Sequence, residues 1–394
     1  VDFTNALVVI HDKPTGKVVK QTTQTEFWKA ANPAFDLPRL NDPRLLYDPL
    51  SGRWFGVIAE LKKGSVGYLA VSETSDPTGG WKGIMLPMAP TDPGMKLGVD
   101  RNGLYIAYTV LTGDIHTMMS VHAIPKADAV AAGGPSLAHL QTFDHLEIEC
   151  FPATDLDPEK PADAPEILLN REFGNSFSRL HMYKITWSGN SASISKLQTI
   201  PLSRTYQSPN GASLKNRASQ PAPGRNLRAD EVRRTTCVYA HKGSRFTCNG
   251  AKRAIDSRPG IFWCEVLARD GALLQEGFVD DPACDYLIPT LAVDARGNVD
   301  IGCTRTSETE FPSAVVLMRA AGDPRNTRRP PVVAPKGTST FTSSREGPYG
   351  IQWGNYNATC LDPSDPPRIW KYQEYATGGQ VDRWTTCWVA FGLR

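Results

Sequence analysis

Arginines, carboxylates and aromatic rings recur together at the ends of apolar runs in this 394-residue chain. Apolar runs begin at Asp42, Arg234, Asp285, Tyr286, Trp353 and Tyr356, and the second run of each pair ends at His116, Arg171, Glu172, Arg305, Glu310 or Glu374. A guanidinium binds carboxylate or sulfate bidentately, and an aromatic face stacks on a sugar ring. An acidic saccharide is the ligand class that uses both. For eliminative cleavage, Arg305 or Arg171 would neutralise a uronate carboxylate, and Tyr286 or His116 would take the C5 proton that this neutralisation acidifies. Asp42, Arg234, Glu172, Asp285, Glu310, Trp353, Tyr356 and Glu374 would bind the rest of the substrate. For hydrolysis, two carboxylates among Asp42, Glu172, Asp285, Glu310 and Glu374 would serve as acid and base. The same face without chemistry would be a glycan- or protein-binding surface. There is no Gly-x-Ser-x-Gly, His-Glu-x-x-His or phosphate-cradling glycine loop.

Each candidate has a structural alternative. Asp42 precedes Pro43 and would cap a turn. Arg171-Glu172 would be a surface ion pair of little consequence. Trp353 and Tyr356 would pack inside a strand pair. Arg305 is the strongest single candidate, because an arginine leaving a hairpin beside Thr306-Ser-Glu-Thr-Glu310 calls for an anionic partner.

The elements that position these residues are repeats. An apolar strand, a tight Asp/Gly/Pro turn and a second strand recur in Asp42–Glu60, Leu97–Tyr108, Leu291–Cys303 and Trp353–Tyr375, with a degenerate copy in Thr236–Cys248. Turns near Gly52, Gly103, residues 157–164, Gly243, Gly297 and Asp365 are spaced by roughly 50 to 80 residues, the signature of a four-stranded repeat. With the half-unit Ala6–Lys20, they predict an all-β fold: one seven-bladed β-propeller over residues 1–394, six blades being the alternative. One blade is expected to be closed by strands from both chain ends, which removes sheet edges. A pair of β-sandwiches would leave the recurring Asp-to-Gly turn unexplained. The tight turns are read as structural, and ligand sites are expected on the opposite face, where first strands begin.

Tyr47-Asp48 to Arg53-Trp54, Pro125-Lys-Ala-Asp-Ala129, Ser307 to Pro312-Ser313 and Trp353-Gly-Asn-Tyr356 to Gln373-Glu374-Tyr375 resemble a family of secreted bacterial β-propeller proteins without settled activity. The resemblance spans most of the chain and implies fold and secretion. The architecture is also similar to propeller enzymes that act on glycans, including sialidases and several polysaccharide lyases. The sialidase box Ser-x-Asp-x-Gly-x-Thr-Trp is absent, which argues against a true sialidase.

A net charge of +2 excludes a bulk electrostatic grip on nucleic acid or anionic membrane, and no apolar run is long enough to span a bilayer. The 33 glycines and 31 prolines lack a collagen-like period and serve as turn punctuation. The 8 cysteines form no Cys-x-x-Cys and no zinc-like cluster with histidine. Cys237 and Cys248 would face each other across a hairpin, and Cys264 would reach Cys248 equally well. Disulfides and an oxidising compartment are therefore expected: a monomer outside the cell or in the periplasm, with Val1 read as a trimmed start. Asp155-Leu-Asp-Pro-Glu159 resembles a calcium loop loosely, without the glycine and distal glutamate of an EF-hand, so a structural calcium is the one cofactor left open.

Overall fold

The computed structural model describes residues 1–37, 39–60, 66–89, 91–112, 116–146, 150–209, 217–223, 226–229, 237–344, 346–347, 350–354, 357–379, 381 and 383–392. The chain divides into two compact units, both built almost wholly from β-strands.

The first unit comprises Val1–Leu168 and Tyr183–Leu197. It opens on a three-stranded sheet of β1 (Asp2–Phe3), β2 (Leu7–His11) and β3 (Val18–Thr23). Helix α1 (Gln24–Ala31) follows, started by a capping box in which Thr23 and Glu26 satisfy each other's backbone N–H groups. Its Phe27 and Trp28 pack with Val8, Phe35 and Tyr68 in one apolar cluster. Strands β4 (Leu40–Asp48), β5 (Arg53–Glu60), β6 (Val66–Ser72) and β7 (Trp81–Pro87) form an up-and-down antiparallel sheet. A second such sheet holds β8 (Thr91–Val99), β9 (Gly103–Thr112), β10 (His116–Pro125) and β11 (Gln141–Leu146), with the short helix α2 (Lys126–Ala129) after β10. β12 (Phe151–Thr154) meets β8 in parallel at Thr154 and Val99. Next in sequence come β13 (Glu166–Arg171), β14 (Ser176–Ser188), β15 (Ser191–Ile194) and β16 (Gln198–Gln207).

The second unit comprises Leu169–Met182 and Gln198–Arg394. It takes the end of β13, the start of β14 and all of β16, and the short strands β17 (Arg217–Ala218) and β18 (Leu227–Arg228) follow. β19 (Val238–His241), β20 (Ser244–Lys252), β21 (Pro259–Leu267) and β22 (Leu273–Val279) make one meander. β23 (Asp285–Val293), β24 (Val299–Thr306), β25 (Ser313–Arg319) and β26 (Val332–Val333) make another. β27 (Glu346–Gly347) and β28 (Gly350–Ile351) join β17 and β18 in a small four-stranded sheet. β29 (Ala358–Leu361), β30 (Ile369–Tyr375) and β31 (Thr385–Phe391) close the chain with three strands. The core lies between sheets: Tyr239, Trp263, Leu291, Ile301, Leu317 and Ile369 belong to one buried cluster.

The sequence repeats correspond to these meanders. The expected closure by both chain ends is not what the described strands do, because β1–β3 pair only among themselves and so do β29–β31. The long 203–229 loop holds structure the sequence did not announce, namely β17 and β18.

One device recurs at the first-hairpin turns. Asp48, Asp100, Asp155, Asp294 and Asp362 are all buried. Each accepts the N–H two residues on: Leu50 at 3.0 Å, Asn102 at 2.8 Å, Asp157 at 3.3 Å, Arg296 at 2.8 Å and Ser364 at 2.9 Å. The other carboxylate oxygen reaches a different donor: Lys126 from Asp48, Lys160 from Asp100 and Asp155, Asn298 from Asp294, and Trp370 from Asp362. The degenerate copy has His241 at the aspartate position and turns instead through Lys242 and Gly243, both at positive φ (43° and 81°). An exposed turn uses the same contact: Asp76 accepts from the Thr78 N–H at 2.9 Å.

None of the eight cysteines is bridged. Cys237 and Cys248 do face each other, their thiols in hydrogen-bond contact. Cys264 does not offer the equivalent contact: Cys248 is opposite Trp263, so Cys264 lies on the other face of the sheet. At the Asp155–Glu159 turn the Asp155 carboxylate is engaged by the Lys160 ammonium, and among the described residues no group of three or more His, Cys, Asp or Glu side chains could hold a metal ion.

Lys160 carries much of the first unit's charge balance, lying 2.6 Å from Asp100, 3.4 Å from Asp155 and 3.7 Å from Glu166, all buried. The three carboxylates raise its pKa against the burial that would lower it. Replacing Lys160 with Met would remove the cation nearest to all three and should cost about 3–5 kcal/mol at pH 8. Urea unfolding of wild type and Lys160→Met measures the loss.

Candidate functional site

In the second unit, four of the sequence-selected residues come together at the edge where β23 begins and β24 ends. Tyr286 and Arg305 are direct cross-strand partners, as are Asp285 and Thr306. The connection after Thr306 folds back, with the Glu310 N–H bonded to Ser307 Oγ at 2.9 Å, and returns the Glu310 carboxylate to the guanidinium. Arg305 Nε lies 3.1 and 3.0 Å from the two Glu310 oxygens, and Nη2 lies 3.0 Å from Oε2. Side-chain exposures of 18% and 14% leave this pair open to solvent at one edge.

Behind it, Tyr286 is buried, and its hydroxyl makes no hydrogen bond of normal geometry among the described residues. Burial pushes its pKa up, assisted by the Cys303 thiol, while Arg305 and Arg328 pull it down. The net direction is upward, so the phenol keeps its proton at neutral pH. Asp285 accepts from the Ser219 N–H at 2.8 Å and pairs with Arg258 at 3.2 Å. Burial raises its pKa more than these two partners lower it. Cys284 Sγ approaches Glu310 at 3.9 Å. Arg258, Ser219 and Cys284 were not selected from the sequence, since their link to Asp285 or Glu310 exists only once distant turns meet.

The neighbouring sheet brings Glu374 to the same edge. Gln373 Nε2 and Trp353 Nε1 both donate to Thr304 Oγ1, at 2.8 and 3.1 Å, so the residue before Glu374 is tied to the residue before Arg305. Glu374 Oε2 accepts from the Gly354 N–H at 3.0 Å, and Gly354 adopts φ 76°, which a glycine reaches without strain. Burial pushes Glu374 up to about 7, opposed only by that N–H. Trp353 is no stacking platform: it is buried against Phe341, ring centroids 4.9 Å apart.

The other candidates lie apart from this cluster. Arg171 is buried, stacked on Phe177 at 4.8 Å and bonded to Ser208 Oγ at 3.0 Å, so its guanidinium serves the interior. Glu172 accepts from the Ser178 N–H at 3.3 Å, and its side chain is 30% exposed. Asp42, in the first unit, is buried at φ 53° in a β-bulge between Asn41 and Arg44. Its backbone N–H donates to Asn5 at 2.8 Å. Arg234, Tyr356 and the His116 side chain lie outside the described residues.

No family model matches the sequence, and no curated protein matches it. Among solved structures the chain is similar to a polysaccharide lyase of family PL25, an ulvan lyase bound to -[GlcA(1-4)Rha3S]-: TM-score 0.45, 9% identity, 88% of this chain and 81% of that one. It is similar to the GH93 α-L-arabinofuranosidase of Fusarium graminearum, in complex with arabinobiose: TM-score 0.39, 10% identity, 92% and 96%. A third, the Hadza microbial sialidase Hz136, aligns with TM-score 0.40, 8% identity, 90% and 66%.

The raised Glu374 pKa has a sign that can be tested. A carboxyl whose folded pKa lies above its unfolded value favours folding at low pH and opposes it progressively as pH rises from about 4.5 to about 7. Glu374→Gln removes that term. It should stabilise the protein by on the order of 1–3 kcal/mol at pH 8 and change little at pH 4. Chemical denaturation at both pH values, compared with wild type, checks it.

Proposed function

We propose that the chain is a secreted, monomeric β-propeller over residues 1–394, seven blades being the reading its repeats favour, and that it degrades an acidic, uronate-containing polysaccharide by β-elimination. The observation that carries the reaction is the Arg305–Glu310–Tyr286 cluster. It places a cation, a carboxylate and a desolvated, protonated phenol at one strand edge. Arg305 binds the substrate carboxylate in exchange for Glu310, and the neutralised carboxylate makes the C5 proton acidic. Glu310, released from Arg305, accepts that proton. The C5–H electrons form the C4–C5 double bond, the bond from C4 to the leaving oxygen breaks, and Tyr286 protonates that oxygen. The tyrosine reading thereby shifts from base to acid, because burial keeps its proton on.

Glycoside hydrolysis is the second reading. Glu374, with a pKa pushed up to about 7, has the protonation of a general acid at neutral pH.

Uronate polysaccharides incubated with the protein should show rising ultraviolet absorbance from unsaturated uronates together with new reducing ends. Arg305→Ala and Tyr286→Phe should each lower kcat/KM by about 100-fold or more, with unchanged circular dichroism. Reducing ends without absorbance would establish hydrolysis and make Glu374→Gln the inactivating change. Binding without either product would leave a non-catalytic glycan-binding protein.

A further inference from the structure

We propose that Cys237 and Cys248 are a redox-active pair that a small-molecule disulfide converts into a cross-strand bridge, and that closing the bridge takes the Cys237 sulfur away from the backbone of Leu291 in β23. The proposal stands apart from the reading of Arg305 and Tyr286 and needs no glycan.

The sequence left Cys248 with two possible partners, and the geometry selects one. Val238 is opposite Thr247 in the β19–β20 ladder, and Thr247 Oγ1 donates to the Cys237 carbonyl at 2.9 Å, which keeps Cys237 in step beside that pair. There the Cys237 and Cys248 thiols are in hydrogen-bond contact. Residues opposed across antiparallel strands have Cα atoms about 4.5 or 5.5 Å apart, and both spacings fall within the range of about 4.4–6.8 Å that a disulfide spans. The bridge therefore asks for rotation of two side chains rather than separation of the strands. Cys264 is excluded by strand alternation, since Cys248 is opposite Trp263.

The two thiols differ in access, which sets the order of events. Cys237 is half-buried, whereas Cys248 is fully buried. Burial pushes the Cys248 thiol well above its ordinary range, and the neighbouring thiols add to this. The thiolate is the attacking form, so Cys237 reacts first. It gives up its proton and attacks one sulfur of the oxidant R–S–S–R. That S–S bond breaks, and one R–S⁻ leaves with the bonding pair and takes up a proton. Cys248, deprotonated in turn, attacks the Cys237 sulfur of the mixed disulfide and expels the second R–S⁻, which is protonated likewise. Two protein thiols are oxidised to one disulfide, and R–S–S–R is reduced to two R–SH.

The consequence follows from what Cys237 holds in the reduced protein. Its Sγ accepts the Leu291 N–H at 3.0 Å and donates to the Leu291 carbonyl at 3.5 Å. A bridged sulfur has no hydrogen to give, and bonding at about 2.05 Å to Cys248 Sγ draws it out of its reduced position. Leu291 follows the Ile288-Pro289 bulge in the strand that opens with Asp285 and Tyr286. The bridge thus loosens β23 just past its bulge.

The test is incubation of the full chain with oxidised glutathione, followed by peptide mapping without reduction. The Cys237–Cys248 cross-link should form, and dithiothreitol should reverse it. The exposed Cys360 should carry a glutathione adduct, which shows that the oxidant reached the protein. Cys237→Ser and Cys248→Ser should each abolish the cross-link, and Cys264→Ser should leave it in place. Amide exchange at Leu291 should be at least about threefold faster in the bridged form than in the reduced form. A Cys360 adduct without the Cys237–Cys248 cross-link would overturn the proposal, and so would Cys248 joined to Cys264. Equal exchange at Leu291 in the two forms would overturn the coupling to β23.

Discussion

A buried aspartate at the turn of the first hairpin is the interaction on which most of these sheets depend. Each such carboxylate replaces water at the turn with backbone N–H groups, and then needs a second donor because half of its capacity remains. How that half is met differs from turn to turn: a lysine ammonium at Asp48, Asp100 and Asp155, a side-chain amide at Asp294, an indole at Asp362. A neutral donor satisfies the oxygen locally. An ammonium pulls in residues far along the chain, as Lys126 does for Asp48, so the turn also fixes how consecutive sheets meet within the first unit. The charged solution is strong only while complete, since a buried ion pair that loses one member is worse than none.

With the turns committed to structure, the candidate groups Asp285, Tyr286 and Arg305 lie at the opposite edge of their sheet, where β23 begins. Ladder hydrogen bonds satisfy the backbone in the middle of each sheet, and at that edge the pattern breaks. Three first strands carry bulges at that end, at Asp42-Pro43 in β4, between Asp92 and Lys96 in β8 and at Ile288-Pro289 in β23; in β4 and β23 the residue before proline is at positive φ (53° and 54°). Proline has no N–H to give the ladder, so the bulge falls where that donor is missing. For Ile288 the conformation is strained, because a β-branched side chain rarely adopts it. Its neighbour is Gly354, the glycine that also bonds Glu374. Within the second unit, backbone irregularity and the unpaired Tyr286 hydroxyl thus meet at the edge where β23 begins.

How much of this was legible in the sequence follows from range. The Asp-to-Gly turns are local: the carboxylate and the N–H it accepts are two residues apart, so their repetition gave the meanders and marked the turns as structural. The Arg305–Glu310 pair is also local, five residues within one connection. Cys237 and Cys248 were placed correctly by symmetry about a turn, whereas Cys264 was not, because strand alternation puts it on the other face. What escaped depends on distant segments. Asp285 is held by Arg258 and Ser219, and Phe341 is held by Gln220, 121 residues away. β17 and β18 are two-residue strands that pair with each other, and β18 also pairs with β28, beyond position 345. No periodicity in so short a stretch can announce them.

The same distinction explains why Arg171 and Arg305, alike in sequence, end with different capacities. Both follow an apolar strand, and both precede or approach a glutamate. Arg171 is followed at once by Glu172, and neighbouring residues on a strand point to opposite faces. Its guanidinium therefore turns inward, where Phe177 and Ser208 receive it. Glu310 instead comes after a five-residue return through Ser307, long enough to bring its carboxylate round to face Arg305. The result is a charge pair at the rim rather than a cation in the core. A rim pair can trade one carboxylate for another at small cost, because solvent screens the exchange. A buried guanidinium can do so only by breaking the packing around it. An arginine's capacity to receive an acidic ligand is thus set by the geometry of the turn that brings its counter-ion.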